Sequence, residues 1–335
     1  MSGEAPNQPA SPPPPAEGAA RPRWKSHLFR AVKLALLAAV LFFVGRALVR
    51  QVGSLDWSAV HFRPGYVALA FLSVVAARTT ILLIYRPLLE PFCGRLGFAD
   101  LAPLSWIPML GRYVPGKVFS VAWAVSMLRK RGTSTAAAVS VPFLMMGLAV
   151  LTGLLVAVPL TLSQPIRDRI PAAWAWCAAL LVPGIVCLHP KVLGAAGNFV
   201  LRKLKREGTV VLPSVGRYLA AVGAILAQLV CAGVGLWLLS RSLTDVSIVW
   251  LPVFISATGL AASIGFLAIF APAGIGVREG ILLVILLPAV GEGVAAVIVI
   301  AVRCLQTVVE IVLAGVGFLV LRTTGESPLR RSSGT

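Results

Sequence analysis

A chain of 335 residues that is 58% hydrophobic and only 13% charged, with apolar runs recurring from Phe29 to Val320, is too apolar for a water-soluble core and fits a polytopic membrane protein. Its net charge of +18 lies mostly between those runs, in clusters such as "RKLKREG" beside membrane segments. That placement suits anionic lipid head groups and argues against nucleic acid as a partner.

Residues 1–28 open with "MSGEAPNQPASPPPPAEGAA", too poor in apolar surface to fold, and are expected to be a disordered tail. The apolar run from Phe29 to Val49 is too long for a signal-peptide core and has no small-residue cleavage site, so it is expected to stay as a first transmembrane helix. At about 20 residues per span, further crossings are expected at Gly65 to Tyr85, Thr135 to Leu162, Pro171 to Leu188, Tyr218 to Leu239 and Gly293 to Leu321. The five cysteines are scattered, with neither metal-ligand nor disulfide-framework spacing, and read as small apolar fillers.

Two regions break the pattern. Leu101 to Leu128 is interrupted by "GRYVPGK", and Val249 to Val290 by "APAGIGVREG". The arms Val118 to Leu128 and Ile281 to Val290 amount to roughly 16 Å of helix, about half of a ~30 Å hydrocarbon core. Both regions therefore read as re-entrant hairpins with the broken motif at the tip, which requires protein or a wet cavity around the irregular backbone. Val249 to Phe270 is long enough to cross alone, so eight transmembrane helices are the alternative to six crossings plus two hairpins.

With both hairpins re-entrant, most basic residues fall on one side, which the positive-inside bias makes cytoplasmic, together with both termini and the tail 323–335. The expected location is the plasma membrane. Each half, 29–162 and 171–321, then holds three crossings and one hairpin. An odd number of crossings inverts the second half against the first, so the two tips approach each other near the midplane.

The chemistry concentrates at those tips. Pro272 has no N–H, and Gly274, Gly276 and Gly280 allow positive φ and close backbone approach, which suits a helix end, a tight loop and a new helix start. Arg278 and Glu279 then stand at the entrance of the next helix, whose N-terminus and guanidinium form a seat for phosphate or carboxylate. The first tip repeats the pattern with Arg112, Tyr113, Pro115, Gly116 and Lys117. Charges at membrane depth are costly, which favours a functional reading. In the last crossing, Arg303, Gln306, Thr307 and Glu310 share one helical face, either as an internal Arg303 to Glu310 pair or as a polar lining. Arg78 reads as a snorkelling residue and Gln228 as an interhelical hydrogen-bond former.

No intramembrane histidine cluster, nucleophile and base constellation or P-loop is present, so an enzyme, a metal site, a cofactor and self-driven ATP hydrolysis are not expected.

"PAGIGVREG", with "GRYVPGK" and "MLRKRG" earlier, resembles the transmembrane region of the lysylphosphatidylglycerol synthetase/flippase proteins over residues 29 to 322. The resemblance carries that family's pattern onto Pro272, Gly274, Gly276, Arg278, Glu279 and Gly280. It implies a lipid-flippase type of membrane protein, a stand-alone one, since only "RTTGESPLRRSSGT" follows Leu321 where bifunctional members continue into an aminoacyltransferase domain. The expected function is binding and translocation of a polar phospholipid, anionic or zwitterionic, with a membrane-protein or homo-oligomeric partner left open. The alternative is an accessory protein that positions a glycosyltransferase or a polyprenyl-phosphate substrate.

Overall fold

The computed structural model describes residues 62–111, 118–130, 133, 135–162, 189–203, 213–268 and 274–324. The expected crossings at Phe29 to Val49 and Pro171 to Leu188, and both tails apart from residues 323 and 324, lie outside these residues. Among the described residues the chain is all helical: α1 Pro64–Thr79, α2 Ile81–Cys93, α3 Phe98–Gly111, α4 Val118–Lys130, α5 Thr135–Leu162, α6 Pro190–Lys203, α7 Val215–Arg241, α8 Leu251–Leu267 after a 3-10 turn Ile248–Trp250, α9 Val277–Val290 and α10 Glu292–Thr323. Among these described residues, five stretches are long and apolar enough to cross a membrane: Pro64–Cys93, Val141–Val158, Val215–Arg241, Ile248–Leu267 and Gly293–Thr323.

The first of these extends eight residues beyond the expected end at Tyr85. α1 and α2 meet at Thr80, where the Thr79 hydroxyl donates to Val75 O at 2.8 Å and the Thr80 hydroxyl to Ala77 O at 2.7 Å. Such hydroxyl back-bonds compete with the helix ladder and favour a local irregularity. Gly94, with φ +71°, then ends α2. The arms of the two expected hairpins are 13 residues in α4 and 14 in α9, slightly longer than the sequence suggested. At about 20 Å each they remain shorter than a ~30 Å hydrocarbon core. α8 with its 3-10 turn is long enough to cross, as the eight-helix alternative requires.

Packing partners repeat between the halves. α3 packs on α4 as α8 packs on α9, α4 on α5 as α9 on α10, and α10 on α3 as α5 on α8. Exchange of α3, α4 and α5 with α8, α9 and α10 thus maps this set of contacts onto itself, while α7 lies against α1, α2 and α8.

Small residues bring the helix backbones together, as expected where lipid removes the hydrophobic drive between helices. At the α5–α8 crossing, a Cβ on Gly259 would lie 2.8 Å from Gly153 O, and one on Gly153 would collide with Ser263 Oγ. The Ser263 hydroxyl donates across the same crossing to Val150 O at 3.0 Å. α7 meets α8 at Gly233 against Ile255, and meets α1 where Ser73 donates to Cys231 O at 2.7 Å. α3 is buried at every position from Leu101 to Met109, as a helix apolar on all sides must be.

The buried apolar side chains form two clusters. One joins α2, α3, α4, the first part of α5 and Val74 of α1 to the N-terminal half of α7 and to Val309 and Leu313 of α10. The other joins the C-terminal half of α7 to α8, α9 and the first half of α10. At one end of α1 and α7, Arg63 closes the structure with a bidentate pair to Asp245, at 2.6 and 3.2 Å, which holds its guanidinium above the ordinary range. Arg241 lies against the rings of Tyr66 and Trp237, 5.4 and 5.3 Å from their centroids.

Candidate functional site

Between the two apolar clusters lies a cavity of about 300 Å³. Its polar wall carries three guanidinium groups, from Arg78 of α1, Arg278 of α9 and Arg303 of α10, with Glu279, Gln228 and Gln306. The lining also includes apolar side chains, among them Ile81, Ile84, Met109, Met145, Met146 and Leu229. Methionines give such a lining an adaptable surface. Ser105 on α3 is 2% exposed and lines this space, and its hydroxyl has no hydrogen-bond partner among the described residues.

The second broken motif builds the polar wall. Gly274 and Gly276 adopt φ of +71° and +86°, which only glycine tolerates without strain, and the second is the residue from which α9 starts. Gly280 does not share this role: it sits inside α9 and has no positive φ, a correction to the expectation that all three glycines turn the chain. The stem of Arg278 lies across the backbone of Gly265 in α8, where any Cβ would collide with its Cγ, and a Cβ on Gly274 would approach the same Cγ to 3.0 Å. Two glycines thus form the notch that lodges this arginine at the cavity.

Glu279 occupies the third position of α9 and accepts the Gly276 N–H at 2.6 Å. Its other carboxylate oxygen lies 3.5 Å from Arg303 Nε. The helix N-terminus expected to seat a ligand's phosphate therefore already holds one carboxylate of its own, which fits the positive end of the helix dipole. Glu279 is 9% exposed, so its charge rests on these two partners rather than on water.

On α10, Arg303 and Gln306 line the cavity, and Thr307 donates to Arg303 O at 2.9 Å. In place of the expected Arg303 to Glu310 link, Arg303 meets Glu279 of α9 and Glu310 meets Arg78 of α1, at 2.9 Å between Nη2 and Oε1. Seven residues of helix rise by about 10 Å, more than two side chains pointing the same way readily bridge. Arg78 is a correction as well. It does not snorkel: its side chain is 12% exposed and lines the cavity. The sequence signal for it was Glu310 itself, a carboxylate deep in an apolar helix that needs a cation from another element. Gln228, expected only as a helix-to-helix hydrogen-bond former, also faces the cavity.

The structure brings together Arg278, Glu279, Gly274, Gly276 and Arg303, and joins Glu310 to them through Arg78. Pro272 and the whole first motif, Arg112, Tyr113, Pro115, Gly116 and Lys117, lie outside the described residues. The arrangement offers many donors and few acceptors beside apolar side chains, which suits a ligand rich in acceptor oxygens with an apolar part. No protein-family model matches the chain, and no curated protein matches it.

Proposed function

We propose that this chain binds the head group of a polar phospholipid in the cavity between the two apolar clusters and carries it between leaflets without chemical conversion. The observation behind this reading is the cavity itself: Arg78, Arg278 and Arg303 line one space together with apolar side chains that include three methionines. Guanidinium groups match phosphate oxygens in geometry and charge, and the apolar side chains suit the start of the acyl chains. Arg278 is the phosphate anchor, and Glu279 is the counter-charge that keeps Arg303 in place while the site is empty.

The same reading treats the chain as a relative of the transmembrane region of the lysylphosphatidylglycerol synthetase/flippase proteins in the plasma membrane, with both termini cytoplasmic. The matched packing of α3, α4, α5 and α8, α9, α10 supports an inverted repeat whose short arms α4 and α9 belong to re-entrant hairpins. Alternating exposure of the cavity then follows from rocking one half against the other.

The test places the purified protein in liposomes with labelled phospholipid and measures exchange between leaflets. The expected result is exchange by the wild type that Arg278→Ala slows at least tenfold. Equal rates for the two proteins would remove Arg278 from the mechanism. A chain that moves no lipid alone yet copurifies with an obligatory partner would shift the assignment to an accessory role.

A further inference from the structure

Outside the cavity, α6 is the element with an unexplained surface. Its 14 residues amount to about 21 Å of helix, too short to cross a ~30 Å core, yet it touches α5 and ends only a short connection before α7. It is therefore held against a helix whose residues Val141–Val158 are long and apolar enough to span.

Among the α6 residues whose side chains are described, the exposed ones lie along one stripe. Lys191, Val192, Ala195, Phe199 and Arg202 are all exposed, and at 100° per residue they fall within an arc of about 100°. Phe199 is 59% exposed and Val192 37%. Gly194 is buried on the neighbouring side of the helix. No acidic residue occurs from His189 to Arg206, while that stretch carries five Lys or Arg. A lipid-facing span would not carry Lys191 and Arg202 beside its apolar residues, and a fully hydrated helix would gain nothing by exposing Phe199 there. A short helix with a bulky apolar stripe edged by cations matches a surface that is apolar below and anionic above.

We infer that α6 lies in the membrane interface as a binding face for anionic phospholipids, with Phe199 and Val192 set into the acyl boundary and Lys191 and Arg202 at the phosphates. This does not depend on lipid translocation through the cavity.

The experiment uses the full-length chain. Ala195→Cys, in a background without the native cysteines, carries a polarity-sensitive fluorophore in vesicles of phosphatidylcholine alone or with added phosphatidylglycerol. Expected are quenching by nitroxides attached high on the acyl chains, weak quenching by aqueous iodide, and a severalfold fall in iodide access when phosphatidylglycerol is present. Lys191→Gln with Arg202→Gln should abolish that dependence on phosphatidylglycerol, and Lys191→Arg with Arg202→Lys should restore it. Free iodide access in both vesicles would overturn the inference, as would protection from iodide without nitroxide quenching, the sign of a second protein copy on this face. Hydrogen exchange of residues 190–203 in the unmodified chain gives an independent reading: slower exchange in nanodiscs containing phosphatidylglycerol is expected, and equal exchange with and without it overturns the assignment.

Discussion

Arg78 and Glu310 join the first described helix to the last, with 2.9 Å between Nη2 and Oε1, in surroundings that leave the Glu310 side chain 2% exposed. A carboxylate so placed depends on its cation, because removing one partner of a buried pair leaves an uncompensated charge. Glu310→Ala should lower stability by about 3–5 kcal/mol. Replacing both residues, as Arg78→Leu with Glu310→Leu, should recover most of the loss. Reversible unfolding in mixed micelles measures both, and a double variant no more stable than the single one would show that the pair is not what ties α1 to α10.

The notch at Gly265 offers a way to move Arg278 without mutating it. Gly265→Ala forces a Cβ into the space of the arginine stem, so leaflet exchange should fall toward the level of Arg278→Ala. Gly223→Ala is the control, since nothing lies within 4 Å of the Cβ it would add. It should leave exchange unchanged and raise helix stability by up to about 1 kcal/mol. Equal exchange by both variants would mean that the position of Arg278 is immaterial.

Glu279 has two tasks that a conservative change separates. Glu279→Gln keeps an oxygen for the Gly276 N–H but removes the charge beside Arg303, whereas Glu279→Ala removes both. The glutamine variant should keep its melting temperature to within a few degrees and bind a short-chain anionic phospholipid several-fold more tightly. The alanine variant should also lose about 0.5–2 kcal/mol with its cap. Titration with the soluble lipid and thermal melting in detergent give the two readouts.

Topology has a direct check. Single cysteines at Arg131 and Gly291, in a background without native cysteines, should react with an impermeant thiol reagent from opposite sides of sealed vesicles. Labelling from the same side would end the inverted-repeat reading.

Much of this architecture is legible in the sequence where apolar runs are long and uninterrupted. α5 begins and ends at the expected Thr135 and Leu162, and α10 departs by only one or two residues at each end from Gly293 to Leu321. The first described span was harder to bound, because Arg86, Pro87 and Pro91 look like a helix ending. Arg86 is instead satisfied by Glu90 one turn later at 2.9 Å, and both prolines are carried inside α2. α6 escaped notice because its cations mark a connecting segment more loudly than its apolar stripe marks a helix. At the site, Arg278, Glu279 and Arg303 stand out as charges too expensive to place in membrane segments without a use. Their pairing does not stand out, since the spacing within one helix says nothing of which neighbouring helix supplies the partner.

The position of the cavity on the seam between two close-packed clusters also fixes where the molecule yields. Each cluster has an interior that resists deformation, as packed side chains do. At the seam lie two ion pairs, Arg78 with Glu310 and Arg303 with Glu279, beside the flexible side chains of Met109, Met145 and Met146. α1, α5, α7 and α10 contribute side chains to both clusters and so run across the seam. A displacement that changed the width of the polar chamber while leaving the two apolar interiors intact would have to bend or slide these four shared helices.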